Sequence, residues 1–355
     1  MSELLKKEVS GVKEIAKRAN VSIATVDRVI HNRTGVSEKT RSLIQQIIKE
    51  LDYQPNVLAR SLASRKTLNF AVLIPSVSEE TAFWGAPLKG VHQAESEVRR
   101  YGIKIDIYFF DQNDKSSFVK QSHAIINDKP DGVLLAPMFI EESINFANGL
   151  KEIKIPYVFI NSDVPNQESL CYIGPDLYHS GYLGAHLMKY LAKEGGKALI
   201  VNISKEIDFH HHLLRKEEGF RAYYKENNIT SPIIKIDITQ TDYQSIKAKL
   251  SEALNEHKDI AAIFVTNSRV LSVAKYLEEV GKGNLLLLGF DFLEENVKYL
   301  RRNIIDFLIC QKPQEQAYRG IFALYNKLVL GVDVEKVKFM PIDIITRENY
   351  NYYNN

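Results

Sequence analysis

The sequence predicts two architectures in series, an all-α head followed by a larger α/β body of two lobes built on doubly wound parallel sheets. Three observations carry this. A chain of 355 residues exceeds one ordinary hydrophobic core and suits a small module plus a two-lobed unit. The first 66 residues contain no strand-like apolar run. Beyond Thr67, short apolar runs alternate with amphipathic helical stretches, as in a parallel sheet covered on both faces.

In the head, apolar spacing predicts helices over 12–18, 22–30 and 37–51 and a short one over 56–63. In the body it predicts strands over 70–74, 105–110, 133–135, 157–160, 199–203, 233–236, 262–265, 285–288 and 307–309. Helices over 87–101, 180–192, 243–257 and 270–280 separate several of them. Residues 64–69 form a polar junction, and no low-complexity tract or short repeat interrupts the chain.

Composition narrows the function. With 45% hydrophobic and 25% charged residues the chain is neither disordered nor a membrane protein. No apolar run reaches the roughly 18 residues that span a bilayer, and MSELLKKEVS lacks a signal-peptide core, so the chain is expected in the cytoplasm. Cys171 and Cys310 are too few for a disulfide framework or a thiolate zinc site and read as core residues. Residues 1–66 hold 13 Lys/Arg against 7 Asp/Glu; with a whole-chain charge of +2, that +6 leaves −4 for the rest. A basic head on an acidic body suits a phosphate-binding module, because Lys and Arg gain by releasing counterions from nucleic acid. No GxSxG, phosphate-binding GxxxxGK[ST] or HExxH pattern occurs, so no enzyme and no cofactor is expected.

Within VKEIAKRANVSIATVDRVIHN, Val12, Ile15 and Ala16 lie on one helical face, and Val26, Val29 and Ile30 on a second. Asn20 stands at the turn, where its tolerance of left-handed angles is useful, and Ser22 is placed to cap the second helix. Two short helices through a tight turn form a helix-turn-helix, which offers Ile23, Ala24, Thr25 and Arg28 to a DNA groove.

From Val12 to Thr67 these residues resemble the DNA-binding head and hinge of the lactose-repressor (LacI) family. The resemblance implies base reading by Ile23, Ala24 and Arg28, and mainly phosphate contact by Ser22, Thr25, His31, Ser37 and Thr40. It makes 56–63 a hinge helix that forms on DNA, with Asn56, Ala59 and Leu62 on the DNA side and Leu62 wedged into the minor groove. Two residues depart from the family pattern: Asn20 stands where glycine is usual and Asp27 where serine is usual. Asp27 would repel phosphate, accept from a cytosine amine or orient Arg28.

From Leu68 to about Thr346 the chain also resembles that family's type I periplasmic-binding-protein-like body. The implied site is a crevice at the carboxyl ends of the strands, which holds a small molecule, expected to be a sugar or sugar derivative. The expected lobes are 68–163 with 292–311, and 164–291 with 312–346; residues 347–355 form a tail. Phe83 and Trp84 match an aromatic pair that stacks on sugar rings. Asn161, Asp163, Asn267 and Gln311 are the polar candidates, with Asp291 bracing a crossover. Lys216, with Arg215 beside it, stands where the family usually has arginine, and a point charge there points to an acidic or otherwise modified sugar. Ser268 replaces the usual acidic group. The run His210-His211-His212 is not expected to hold a metal.

A rival reading keeps the DNA-binding regulator and gives the body only a dimerising role. Either way, each head reads a half-site, so a homodimer on a pseudo-palindromic operator is expected. The resemblance to the family implies an interface along helices 87–101 and 270–280, the second of which carries Val270, Val273, Ala274 and Leu277 at helical spacing.

Overall fold

A computed structural model describes residues 2–30, 33–51, 53, 67–78, 82–192, 195–205 and 211–355. His31, Asn56, Ala59, Leu62 and the expected hinge helix lie outside the described residues, as does His210. The chain divides into two compact units, Met1–Thr67 and Leu68–Asn355.

The first unit contains helices α1 (Ser2–Ala19), α2 (Ile23–Ile30) and α3 (Glu38–Glu50). Their apolar stripes meet in a core of Ile15, Ala16, Ala19, Val26, Val29, Ile44 and Ile47. Asn20 takes the left-handed φ of 52° that the turn requires. Ser22 Oγ accepts from the Thr25 amide at 3.1 Å, and Ser37 Oγ from the Thr40 amide at 3.3 Å, so a serine caps each of the last two helices.

The second unit holds two six-stranded sheets. The first contains β1 (Leu68–Pro75), β2 (Ile103–Phe110), β3 (Gly132–Leu135), β4 (Tyr157–Ile160), β5 (Cys171–Gly174) and β11 (Val337–Phe339), in the order β11-β5-β4-β3-β1-β2. The second contains β6 (Lys197–Ile203), β7 (Ile233–Ile238), β8 (Ile260–Val265), β9 (Leu286–Phe290), β10 (Phe307–Cys310) and β12 (Asp343–Ile345), in the order β12-β10-β9-β8-β6-β7. Every pairing is parallel except β10 with β12. Helices α4 (Gly85–Val98), α5 (Lys115–Asp128) and α6 (Ile140–Glu152) follow strands of the first sheet. Helices α7 (Leu177–Leu191), α8 (His211–Glu226), α9 (Tyr243–Glu256), α10 (Val270–Glu279) and α11 (Glu294–Arg301) belong with the second, and α12 (Pro313–Leu328) comes last.

The expected lobes need correction. The chain crosses between sheets at 175–176, 311–312 and 340–342, so β5, α12 and β11 belong to the first lobe and residues 292–310 to the second. The physical reason lies in α12, whose Ala317, Ile321 and Leu324 bury in the first-lobe core, and in β5, a four-residue strand buried on both faces. Asp291 ends an internal strand and accepts at 3.1 Å from Gln311 Nε2, which sits on a crossover. A second correction concerns α10: Val270, Val273, Ala274 and Leu277 are fully buried inside their own lobe and are not available to a second subunit. The tail is also more than an appendage. Tyr353 is buried in the second-lobe core, and Lys312 at the crossover donates to the Asn354 carbonyl at 2.6 Å.

One close approach sets the geometry of the second lobe. A Cβ on Gly181 of α7 would lie 1.8 Å from the Lys216 carbonyl oxygen, and one on Gly219 of α8 would lie 1.9 Å from that of Tyr178. Glycine at both positions lets these helix backbones touch.

Candidate functional site

A cavity of about 80 Å³, partly open to solvent, lies between the two lobes at the carboxyl ends of strands from both sheets. Its place is the one at which doubly wound sheets bind ligands. Seven of the nine residues expected from sequence line it: Phe83, Trp84, Asn161, Lys216, Asn267, Asp291 and Gln311. Asp163 and Arg215 do not. They line a neighbouring groove, where Asp163 meets His211 Nε2 at 3.4 Å and the Arg215 guanidinium lies 5.3 Å from the Tyr178 ring centroid. The His211 hydrogen bond holds the Asp163 carboxyl below the usual carboxylate range.

Helix α8 explains this division. Residues four apart share a helical face, so His212 and Lys216 reach the cavity while His211 and Arg215 line the groove beside it. The consecutive histidines therefore serve different places, and among the described residues no His/Cys/Asp/Glu group is placed to hold a metal ion.

Each lining group is held by the fold. Phe83 and Trp84 meet edge to face, with centroids 5.1 Å apart, and Trp84 is 3% exposed. Asn161 has φ 67°, and its amide donates to Gln316 Oε1 at 2.9 Å. Gln316 Nε2 in turn donates to the Gln311 carbonyl at 2.7 Å, which ties the end of β4 to the crossover. Asn267 Nδ2 donates to the Ile203 carbonyl at 2.8 Å. Gln311 Nε2 donates to Asp291 Oδ1 at 3.1 Å, while its own Oε1 is buried without a partner. Lys216, 3% exposed, donates from Nζ to the Thr266 carbonyl at 3.0 Å and stands 3.5 Å from the Phe290 ring centroid. Burial pulls its ammonium down to about 8, with the nearby Asp291 carboxylate opposing the shift. Burial also raises the Asp291 carboxyl from its ordinary value, against the pull of Lys216 and Gln311.

Sequence reading missed Gln112, Asn113, Met138, Leu177, Ile203, Ser204, His212 and Arg269 as lining residues. Most stand just past a strand end, so the strand boundaries already drawn carried the signal.

In the head, Ser22, Ile23, Ala24 and Arg28 lie on the exposed side of α2, opposite buried Val26 and Val29, and Ile23 is 49% exposed. Thr25 and Thr40 are half-buried, with each hydroxyl bonded to its capping serine at 2.9 and 2.8 Å. Asp27 accepts from the Arg33 guanidinium at 3.2 Å. Cys171 and Cys310 are buried free thiols, and among the described residues no helix is long and apolar enough to cross a membrane.

A capped helix-turn-helix on one unit and an interlobe cavity on the other define a ligand-sensing DNA-binding regulator. Residues 11–56 match the family described as "Bacterial regulatory proteins, lacI family", and residues 70–331 match "Periplasmic binding protein domain". A crystal structure from Bacteroides fragilis, described as a LacI transcriptional regulator, is 30% identical with a TM-score of 0.75, covering 81% of this chain and 100% of that one. Catabolite control protein A of Priestia megaterium is 27% identical over 289 residues, 78% of this chain and 81% of that protein. The HTH-type transcriptional regulator RegA of Clostridium acetobutylicum is 29% identical over 166 residues, 45% of this chain and 46% of that protein, so the match spans about half of RegA. The chain belongs to the LacI family of bacterial transcription regulators, DNA-binding proteins under effector control that are not enzymes.

Proposed function

We propose that this regulator works as a cytoplasmic homodimer on a pseudo-palindromic operator, and that a sugar or sugar derivative bound in the interlobe cleft controls its hold on DNA. The observation that carries the cleft reading is the convergence of Trp84, Asn161, Asn267, Asp291 and Gln311 from both lobes on one cavity. A ligand touching both sheets favours the closed arrangement over the open one, and such differential contact is what moves a two-state equilibrium. The aromatic pair suits the C–H face of a sugar, and the amides suit its hydroxyls.

The DNA reading rests on the exposed edge of α2, with Ile23, Ala24 and Arg28 toward bases and Ser22, Thr25, Ser37 and Thr40 near phosphates. The hinge role of Asn56, Ala59 and Leu62 and the contact by His31 rest on the family resemblance. The dimer follows from half-site reading, since the α10 side chains first assigned to it are spent inside their lobe. A thermal-shift screen of the full chain against sugars tests the cleft: a stabilising sugar whose effect disappears in Trp84→Ala supports it. Sugars that stabilise both proteins equally would refute it.

A further inference from the structure

We propose that the effector is an acidic sugar whose carboxylate is held by Lys216 and Arg269 while Gln311 and Asp291 take its hydroxyls. This rests on the reading of the interlobe cleft as the effector site. The lining of that cleft carries two basic side chains, Lys216 and Arg269, against one carboxylate, Asp291, with His212 beside them. Lys216 is the informative one. Its ammonium is buried, has one carbonyl partner at 3.0 Å and rests on the Phe290 ring. An ammonium has three donors, and a buried charge is costly unless it is both paired and hydrogen-bonded. Asp291 acts on Lys216 electrostatically, but it is engaged by Gln311 at 3.1 Å and is itself disfavoured as an anion by burial. A carboxylate arriving from the cleft supplies the missing partner.

Two further features point the same way. Arg269 immediately precedes α10, whose first residues follow Asn267 and Ser268 in the cavity wall, so the positive end of that helix dipole faces the same space. Gln311 Oε1 is an acceptor, buried, unpartnered and at the cavity wall. An acceptor needs a donor, which a hydroxyl provides and a bare anion does not. Cations, an orphan acceptor and an aromatic pair lining one cavity together select a polyhydroxylated acid over either a neutral sugar or a simple anion.

The test is isothermal titration of the full chain at pH 7.0 and 9.5. The probes are D-glucuronate, D-galacturonate and D-gluconate, with D-glucose and D-galactose as neutral counterparts and glucose 6-phosphate as the competing anion. At pH 7.0 at least one carboxylate should bind ten or more times tighter than its neutral counterpart. That advantage should shrink at pH 9.5, because a carboxylate favours the protonated amine and Lys216 loses its proton above about 8. Lys216→Met should abolish the advantage, and Arg269→Gln should reduce it severalfold. Lys216→Arg should keep the advantage but lose its pH dependence, which tests the proposal even if the methionine variant fails to fold. Neutral hexoses that bind as tightly as the acids, in a manner that Trp84→Ala abolishes, would overturn the acidic-sugar inference and leave the cleft reading standing. Glucose 6-phosphate outranking every carboxylate, or no carboxylate binding at all, would overturn it too. Binding indifferent to Trp84→Ala would sink the cleft reading itself.

Discussion

Gly219→Ala tests how the second lobe positions Lys216. Helix propensity alone makes alanine about 1 kcal/mol better than glycine inside a helix. Packing makes the opposite demand. The new Cβ would sit 1.9 Å from the Tyr178 carbonyl oxygen, against the ~3.5 Å at which nonbonded heavy atoms pack best. A backbone oxygen cannot swing aside, so α7 and α8 must separate, and overpacking of this kind costs about 1 to 3 kcal/mol. The net expectation is a loss of roughly 0 to 2 kcal/mol, together with weaker effector binding, because α8 carries His212 and Lys216 into the cleft. Urea unfolding followed by circular dichroism gives the first quantity, and effector titration the second. An alanine variant more stable than the parent, as propensity alone requires, would refute the close-packing argument.

Four other outcomes follow from the same structure. Tyr353→Ala should destabilise the body by about 2 to 4 kcal/mol, since it removes a buried ring that contacts Phe292 at 4.9 Å and carries Lys312 Nζ 4.0 Å from its centroid; an unchanged urea midpoint would contradict this. Ser22→Ala should lower the melting temperature of the head by the loss of a cap worth about 1 kcal/mol, and calorimetry that shows no change would exclude a capping role. Lys216 has a folded pKa near 8, below its unfolded value, so between pH 8 and pH 10.5 the unfolded chain binds more protons and stability rises with pH. Against Lys216→Met, the wild-type stability should therefore improve by up to ~3 kcal/mol across that window, and a flat difference would show that Lys216 is not desolvated. Arg28→Ala should weaken operator binding and relax base preference by about 1 to 3 kcal/mol at one position; equal weakening on all sequences would make Arg28 a phosphate anchor.

The parts legible in the sequence were those fixed by local rules. Asn20 at a left-handed turn, Ser22 at a cap, and apolar runs such as 70–74 and 199–203 each have a short-range cause, and all are where the sequence placed them. Lobe membership was not legible, because it depends on which core captures a helix after a crossover, and α12 is amphipathic enough to suit either. The strand Val337–Phe339 has all three residues exposed and sits at a sheet edge, so burial left no mark on its sequence. In the cleft, residues carried by a recognisable segment, such as Trp84 and Gln311, were found. His212 was missed because its place comes from the α8 face it shares with Lys216, and Arg269 because it stands between Asn267 and the start of α10; neither follows from residue type. Asp163 and Arg215 failed for the complementary reason: each lies within two residues of a true lining residue but faces the adjoining groove.

A ligand in the cleft is expected to change the affinity of the head for DNA. This is tested most directly by fluorescence anisotropy on an operator duplex obtained by in vitro selection with the full chain, titrated at fixed salt with and without a saturating effector identified by the calorimetric panel. Operator affinity should shift at least tenfold for the parent protein and not at all for Gln311→Leu, which still binds the duplex. An affinity that stays the same in the parent protein while calorimetry shows the cleft occupied would contradict this expectation.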